Sequence, residues 1–173
     1  MAGIHTETCK GQRVIEVELT NAELLHAAIM GVMRRVSSIK RGLQPRHGFN
    51  DENPWQIDIE GSCGELAVAK ALGIYASLGL DTFKSPDLPG MQIKTRSNHS
   101  YELIVRPHDA EDQKYVLVTG KNGKYRVHGW ILGKDAKQKQ WEQTHGGRDA
   151  AYFVPQDVLK PMDDLKPYRL DYA

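Results

Sequence analysis

Leu25, Ala28, Ile29, Val32, Met33, Val36 and Ile39 recur at steps of three and four, the period of one helix face. A helix over 21–39 with one apolar stripe is expected, capped by Thr20 or Asn21. Ahead of it, Val14-Ile15-Glu16-Val17-Glu18-Leu19 is rich in β-branched residues and reads as a short strand after a polar lead-in over 1–12. Residues 42–57 carry Gly42, Pro45, Gly48, Asn50, Asp51, Asn53 and Pro54 and read as a loop that contains Trp55. From Gly61 to Gly73 nearly every side chain is small or apolar. That pattern predicts a buried helix, started by Ser62 and stopped by Gly73.

Beyond residue 90 the period changes to two. Met91, Ile93 and Thr95 alternate with Gln92, Lys94 and Arg96, which predicts a strand with two distinct faces. Leu103–Arg106, Tyr115–Thr119 and Lys124–Leu132 are further strands, and Asn122-Gly123 joins the last two as a type I′ hairpin turn. Lys134 to Glu142 reads as a short basic helix, 151–154 as a final strand, and 156–173 as an irregular tail. Two helices, a block of strands, a helix and a strand make one α/β or α+β domain over 1–173.

Composition narrows the function classes. Lys plus Arg total 23 against 22 Asp plus Glu, a net charge of +1, so bulk charge does not hold nucleic acid and only a local basic face would. No apolar run approaches the roughly 18 residues of a membrane span, so no membrane partner is expected. Two cysteines exclude a disulfide framework, and no CxxC pair is present. The cytoplasm is the default compartment, and Cys63 reads as a small apolar filler. Seven histidines lack zinc spacing, and no phosphate-cradling glycine loop occurs.

The candidate chemistry lies between Glu65 and Lys94. Glu65 is the one carboxylate on the apolar helix; it shares a face with Val68, Ala69 and Leu72, while Lys70 lies on another face. Such an acid needs a cation or a hydrogen-bond donor. Asp87 sits in the turn Ser-Pro-Asp-Leu-Pro-Gly, and Gln92 and Lys94 share one face of the strand that follows. A hard divalent cation takes oxygen ligands, commonly one or two carboxylates with carbonyls and water, and an ammonium can offset charge on a reacting phosphate. Asp87, Gln92 and the carbonyl of Ile93 are therefore candidate metal ligands, with Glu65 completing the site. Taken singly, each has an ordinary reading: a turn aspartate, a solvated strand face, a helix acid. Asp81 is a substitute for Asp87.

Glu65, Pro86-Asp87 and Gln92-x-Lys94 together resemble the PD-(D/E)xK nuclease superfamily, over roughly 58–155. The helix at 61–73, Leu103-Ile104-Val105-Arg106, Tyr115–Gly120, Val127–Ile131 and Ala136-Lys137 resemble its phage-encoded members. The resemblance implies a restriction-endonuclease-like core, a mixed central sheet flanked by helices, preceded by a segment over 1–57. It implies a Mg2+- or Mn2+-dependent deoxyribonuclease with DNA as partner, acting in the host cytoplasm. By position, Asp87 would be the main metal ligand, Glu65 the helix acid, Gln92 the second acid's replacement and Lys94 the catalytic lysine. Gln92 is neutral where the family has Asp or Glu, so the site loses one negative charge, and Pro89-Gly90 must turn tightly between Asp87 and Gln92. Arg96, Lys121, Lys124, Arg126, Lys134 and Lys137 are candidate phosphate contacts, Arg46 among further basic positions. The alternatives are an inactive DNA-binding module of the same fold, or an interaction subunit of a phage complex using the sheet and the Trp141 helix. A homodimer is expected by analogy, since cutting two strands takes two sites.

Overall fold

Alternating strands build a five-stranded sheet in a computed structural model that describes residues 3–9, 12–43, 53–76, 86–146 and 149–165. The strands are β1 (Ile4–Cys9), β2 (Gln12–Glu18), β3 (Met91–Arg96), β5 (Lys114–Lys121) and β6 (Lys124–Leu132), in the order β1-β2-β6-β5-β3. Only β3 and β5 are parallel; the other pairs are antiparallel. β4 (Leu103–Val105), β7 (Glu142–Gln143) and β8 (Ala151–Val154) form a smaller antiparallel sheet. The helices are α1 (Asn21–Lys40), α2 (Pro54–Leu72) and the single turn α3 (Gly133–Ala136). The fold is mixed α+β, a mixed sheet flanked by helices, consistent with a restriction-endonuclease-like arrangement.

The period of two in the strands sorts their side chains between two cores. Ile15, Val17, Ile93, Val116, Val118, Tyr125 and Val127 face α2, whose Cys63, Ala67 and Val68 are fully buried against them. Tyr115, Leu117 and Ile131 face the other way and pack on Leu103, Val105 and Val154 of the small sheet. Small residues set the layer spacing. A Cβ on Gly64 would lie 2.0 Å from the Thr95 hydroxyl, so the glycine lets α2 rest directly on β3. A Cβ on Gly31 would lie 2.5 Å from the Ile59 Cα, so α1 and α2 touch backbone to backbone there. Ion pairs Lys70–Glu23 and Arg35–Asp58, each at 2.7 Å, fix the two ends of that antiparallel contact.

Several expectations hold. Asn122 and Gly123 take positive φ of 56° and 83° in the β5–β6 hairpin, as a type I′ turn requires; β3 falls where alternation put it, and β6 and β8 match the strands expected over 124–132 and 151–154. Others are corrected. The polar lead-in is β1, paired along β2. α2 begins inside the expected loop: Asn53 caps it and Pro54 occupies its first turn, where a missing N–H costs nothing. Trp55 is thus in a helix, and Ser62 is buried mid-helix rather than a cap. The basic helix shrinks to α3 and a 3-10 turn at Lys139–Trp141. The tail is tied down as far as it is described: Trp130 and Lys160 exchange two backbone hydrogen bonds, and Met162 and Leu165 are buried. The α1 stripe faces solvent, while the buried face of that helix is Ala27 and Gly31. Arg46 and Asp81 lie outside the described residues. Among the described residues no helix is long and apolar enough to cross a membrane.

Candidate active site

The turn before β3 determines where Asp87 points. Leu88 and Met91 exchange two backbone hydrogen bonds, 3.2 and 3.0 Å, around Pro89 and Gly90. Gly90 has φ 68°, so this is the tight Pro-Gly turn that the spacing demanded. The turn carries Asp87 back alongside β3, where its Oδ2 accepts a 2.7 Å hydrogen bond from the Ile93 N–H. β3 is an edge strand, with β5 its neighbour on one side. The N–H and C=O of a strand residue point to the same side. The Ile93 carbonyl therefore faces the same unpaired edge as Asp87.

Glu65 reaches this edge from α2. It is 5% exposed and is met by Arg34 of α1 through two hydrogen bonds, Nη1–Oε1 2.5 Å and Nη2–Oε2 2.8 Å. The cation that a buried acid requires is thus Arg34. Burial disfavours the charge on Arg34, but Glu65, then Asp87 and Asp58, outweigh it and hold the guanidinium more firmly protonated than usual.

Asp87 feels the surrounding charges. Burial first, and the Glu65 carboxylate second, push its carboxyl up to about 6; the Ile93 N–H, Arg34 and Lys94 pull it back. Lys94 lies on the other face of β3, its Nζ 3.2 Å from Asp109 Oδ2 and 5.2 Å from the centroid of the Tyr115 ring. Asp109 belongs to the loop between β4 and β5 and also accepts from the Arg106 N–H at 3.0 Å. Gln92, half-buried, shares the Lys94 face by alternation. The acid of one face and the ammonium of the other thus meet electrostatically at Asp87, on the edge between them.

The candidate phosphate contacts separate into two groups. Lys121 and Lys124 sit at the β5–β6 hairpin tip, and Arg126 is paired with Glu16 at 2.7 Å. Arg96 stacks over Tyr101 at 4.6 Å and donates to the Glu102 carbonyl. Lys134 on α3 and Lys137, which caps it, lie at the opposite end of β5, about 23 Å away at ~3.3 Å per residue. There Lys137 donates to the Pro107 carbonyl at 2.9 Å, beside the loop that holds Lys94. Elsewhere, the Thr119 hydroxyl lies 2.9 Å from His99 Nδ1 and 2.6 Å from His128 Nε2. Burial pushes the His128 imidazole down to about 4. His99 also lines a 290 Å³ cavity with His5, Glu16, Lys124 and Arg126.

The sequence pattern did not mark Asp109 as a site residue, and it marked Arg34 only as one of several basic positions for nucleic-acid contact, not as the partner of Glu65. Arg34 had a signal: it follows Ala27 and Gly31 at steps of four and three, on the small-residue face that α2 covers. Asp109 had none, because its role depends on a loop closing over β3.

No family model, curated protein or solved structure matches the chain. The site is therefore read on its own chemistry. Among the described residues no three His, Cys, Asp or Glu side chains converge as a metal cage. What the edge offers is two mutually repelling carboxylates, one raised in pKa by burial and then by that repulsion, and the carbonyl of Ile93. That donor set fits Mg2+ or Mn2+, which take one or two carboxylates and complete their shell with other oxygens and water. Glu65 enters such a shell only through the lone pairs that Arg34 leaves.

Proposed function

We propose that this chain is a Mg2+- or Mn2+-dependent deoxyribonuclease that hydrolyses phosphodiester bonds at the edge of β3. The observation that carries this reading is the gathering of Glu65, Lys94 and the Ile93 N–H around Asp87. Asp87 and the Ile93 carbonyl would hold the cation, with Gln92 and Glu65 completing its surroundings. When bound, that cation supplies Lewis acidity toward the phosphate and a lowered pKa for water. The chain's own residues do the rest. The Lys94 ammonium, loosely held by Asp109, orients the attacking water and offsets charge that develops on the phosphate. Arg34 keeps Glu65 in place through both carboxylate oxygens. Lys134 and Lys137 lie on the Lys94 side and hold the DNA backbone without reading sequence. DNA as partner and a cytoplasmic site of action belong to this reading.

The Arg34–Glu65 pair favours a second reading. A guanidinium on both carboxylate oxygens neutralises one of only two acids, and Gln92 contributes no charge, so a DNA-binding module without cleavage follows naturally. One set of reactions separates the two. Supercoiled, linear, single-stranded and four-way-junction DNA are incubated with the wild type and Lys94→Ala, each with Mg2+, Mn2+ or EDTA. Cleavage that needs the metal and falls by at least about 100-fold in Lys94→Ala supports the nuclease. Mobility shifts without cutting in any metal support the module, and neither result leaves both readings without a basis.

A further inference from the structure

Five large aliphatic residues on α1 follow a strict four-three-four-three spacing: Leu25, Ile29, Val32, Val36 and Ile39. All are exposed, by 62%, 49%, 36%, 37% and 57%. A spacing averaging 3.5 residues is narrower than the stripe of a helix that packs on a globular core; it is the seam of one helix meeting another. Within the chain α1 meets α2 through a different face, Ala27 and Gly31, with Arg34 reaching inward to Glu65. Among the described residues, the seam is left over after the fold has used this helix.

We propose that the seam is the dimer interface of this chain, with α1 packed antiparallel on α1 of a second copy about a two-fold axis at Val32. The sequence of the seam is self-complementary under that operation. Val32 meets itself, Leu25 meets Ile39 of the second copy, each seven residues from the axis, and Ile29 and Val36, three and four residues from it, interleave, so smaller side chains lie at the centre and larger ones at both ends. No seam position is charged. The antiparallel sense also opposes the two helix dipoles, and it brings the end carrying Glu23 near the end carrying Lys40 and Arg41. A parallel pairing would bring like ends together.

The area supports a weak but specific dimer. Five side chains at these exposures, with Met33 beside them, present on the order of 500 Å² per copy, at the upper range of the largest apolar patch on a monomer. Two copies bury about 1,000 Å², the lower bound for a specific interface. α1 also presents Arg34 to Glu65 from its inner face, so the same helix would brace the candidate site of each copy. The dimer proposal does not depend on the nuclease reading, and its test uses neither DNA nor metal.

The full chain is followed by sedimentation velocity between about 1 and 200 µM, the range in which an interface of this size is populated. The expected mass rises from 19.5 kDa toward twice that value. Val32→Lys and Val32→Glu each place like charges across the axis and should each weaken association by about 100-fold or more. Circular dichroism of the separate variants should match the wild type, because position 32 is on the surface. Mixed in equal amounts, the two variants should regain the dimer mass, since lysine then faces glutamate. A wild type that stays monomeric throughout overturns the proposal. So do variants that remain dimeric, and so does a mixture of two folded variants that stays monomeric.

Discussion

Two ion pairs flank Asp87, and they differ in almost every physical respect. Arg34–Glu65 is bidentate, with side chains 19% and 6% exposed, and joins two helices on one face of β3. Lys94–Asp109 is a single 3.2 Å contact, with side chains 29% and 15% exposed, and joins a strand to a loop on the other face. A paired and buried carboxylate tolerates no loss of its partner, because the remaining charge has no water to return to. A part-exposed ammonium with three donors can exchange one acceptor for another. The first pair is therefore a fixture of the fold, whereas the second holds a movable group. That division is what a site needs if one acid must stay put while a lysine follows a phosphate.

Removing the fixed cation should have the largest effect. Arg34→Ala leaves Glu65 buried and unpaired and should destabilise the protein by about 3–5 kcal/mol, read as the urea midpoint at pH 7.5. Replacing Arg34 and Glu65 together by Met and Leu should restore most of that loss, because a matched apolar pair carries no stranded charge. If Arg34→Ala changed stability no more than a surface substitution, the pair would not be the fixture described.

The second effect concerns the group between the pairs. The Asp87 carboxyl is raised to about 6 from an ordinary value of 3.8. With the folded pKa above the unfolded one, the folded state binds the extra proton. Wild-type stability is then undiminished below about pH 4 and declines as the pH rises through 6. Asp87→Asn keeps an acceptor for the Ile93 N–H and escapes that decline. It should match the wild type at pH 4 and exceed it by about 2 kcal/mol at pH 8. Mg2+ or Mn2+ should narrow the gap by stabilising the wild type alone. A gap independent of pH would remove Asp87 from the charge cluster.

How far this arrangement could be read in advance follows from what each signal measures. The alternation of Met91–Arg96 was legible because a strand buried on one side must alternate, and the tight turn at Pro89-Gly90 because few dipeptides can make it. The hydrophobic stripe of α1 was equally clear as a helix but silent about what covers it; periodicity reports a face, not its partner. β1 escaped notice because an edge strand such as His5-Thr6-Glu7 needs no apolar face. Pro54 and Asn53 misled because the same residues break a helix and begin one. At the site, Glu65 announced that it needed a cation, yet only the contact of α1 and α2 at Gly31 decided that Arg34 was that cation. Asp109 is 15 residues from Lys94, and nothing in its local sequence distinguishes it from any other loop aspartate.

The smallest effect tests the movable pair. Asp109 does two things: it holds Lys94, and it accepts the Arg106 N–H that closes its own loop. Asp109→Asn removes the charge while keeping an oxygen for Arg106, so the loop should remain and only the ion pair should go. Pairs of this exposure contribute at most about 1 kcal/mol, which corresponds to a Tm change within about 3 °C for a chain of this size. Arg34→Ala should shift Tm several times further in the same buffer. Raising the salt concentration should shrink the Asp109→Asn effect, because a part-exposed pair is screened, and should leave the Arg34→Ala effect nearly unchanged. Equal losses in the two variants, or equal salt dependence, would mean that Lys94 is as rigidly held as Glu65, and the contrast between a fixed acid and a movable lysine would fail.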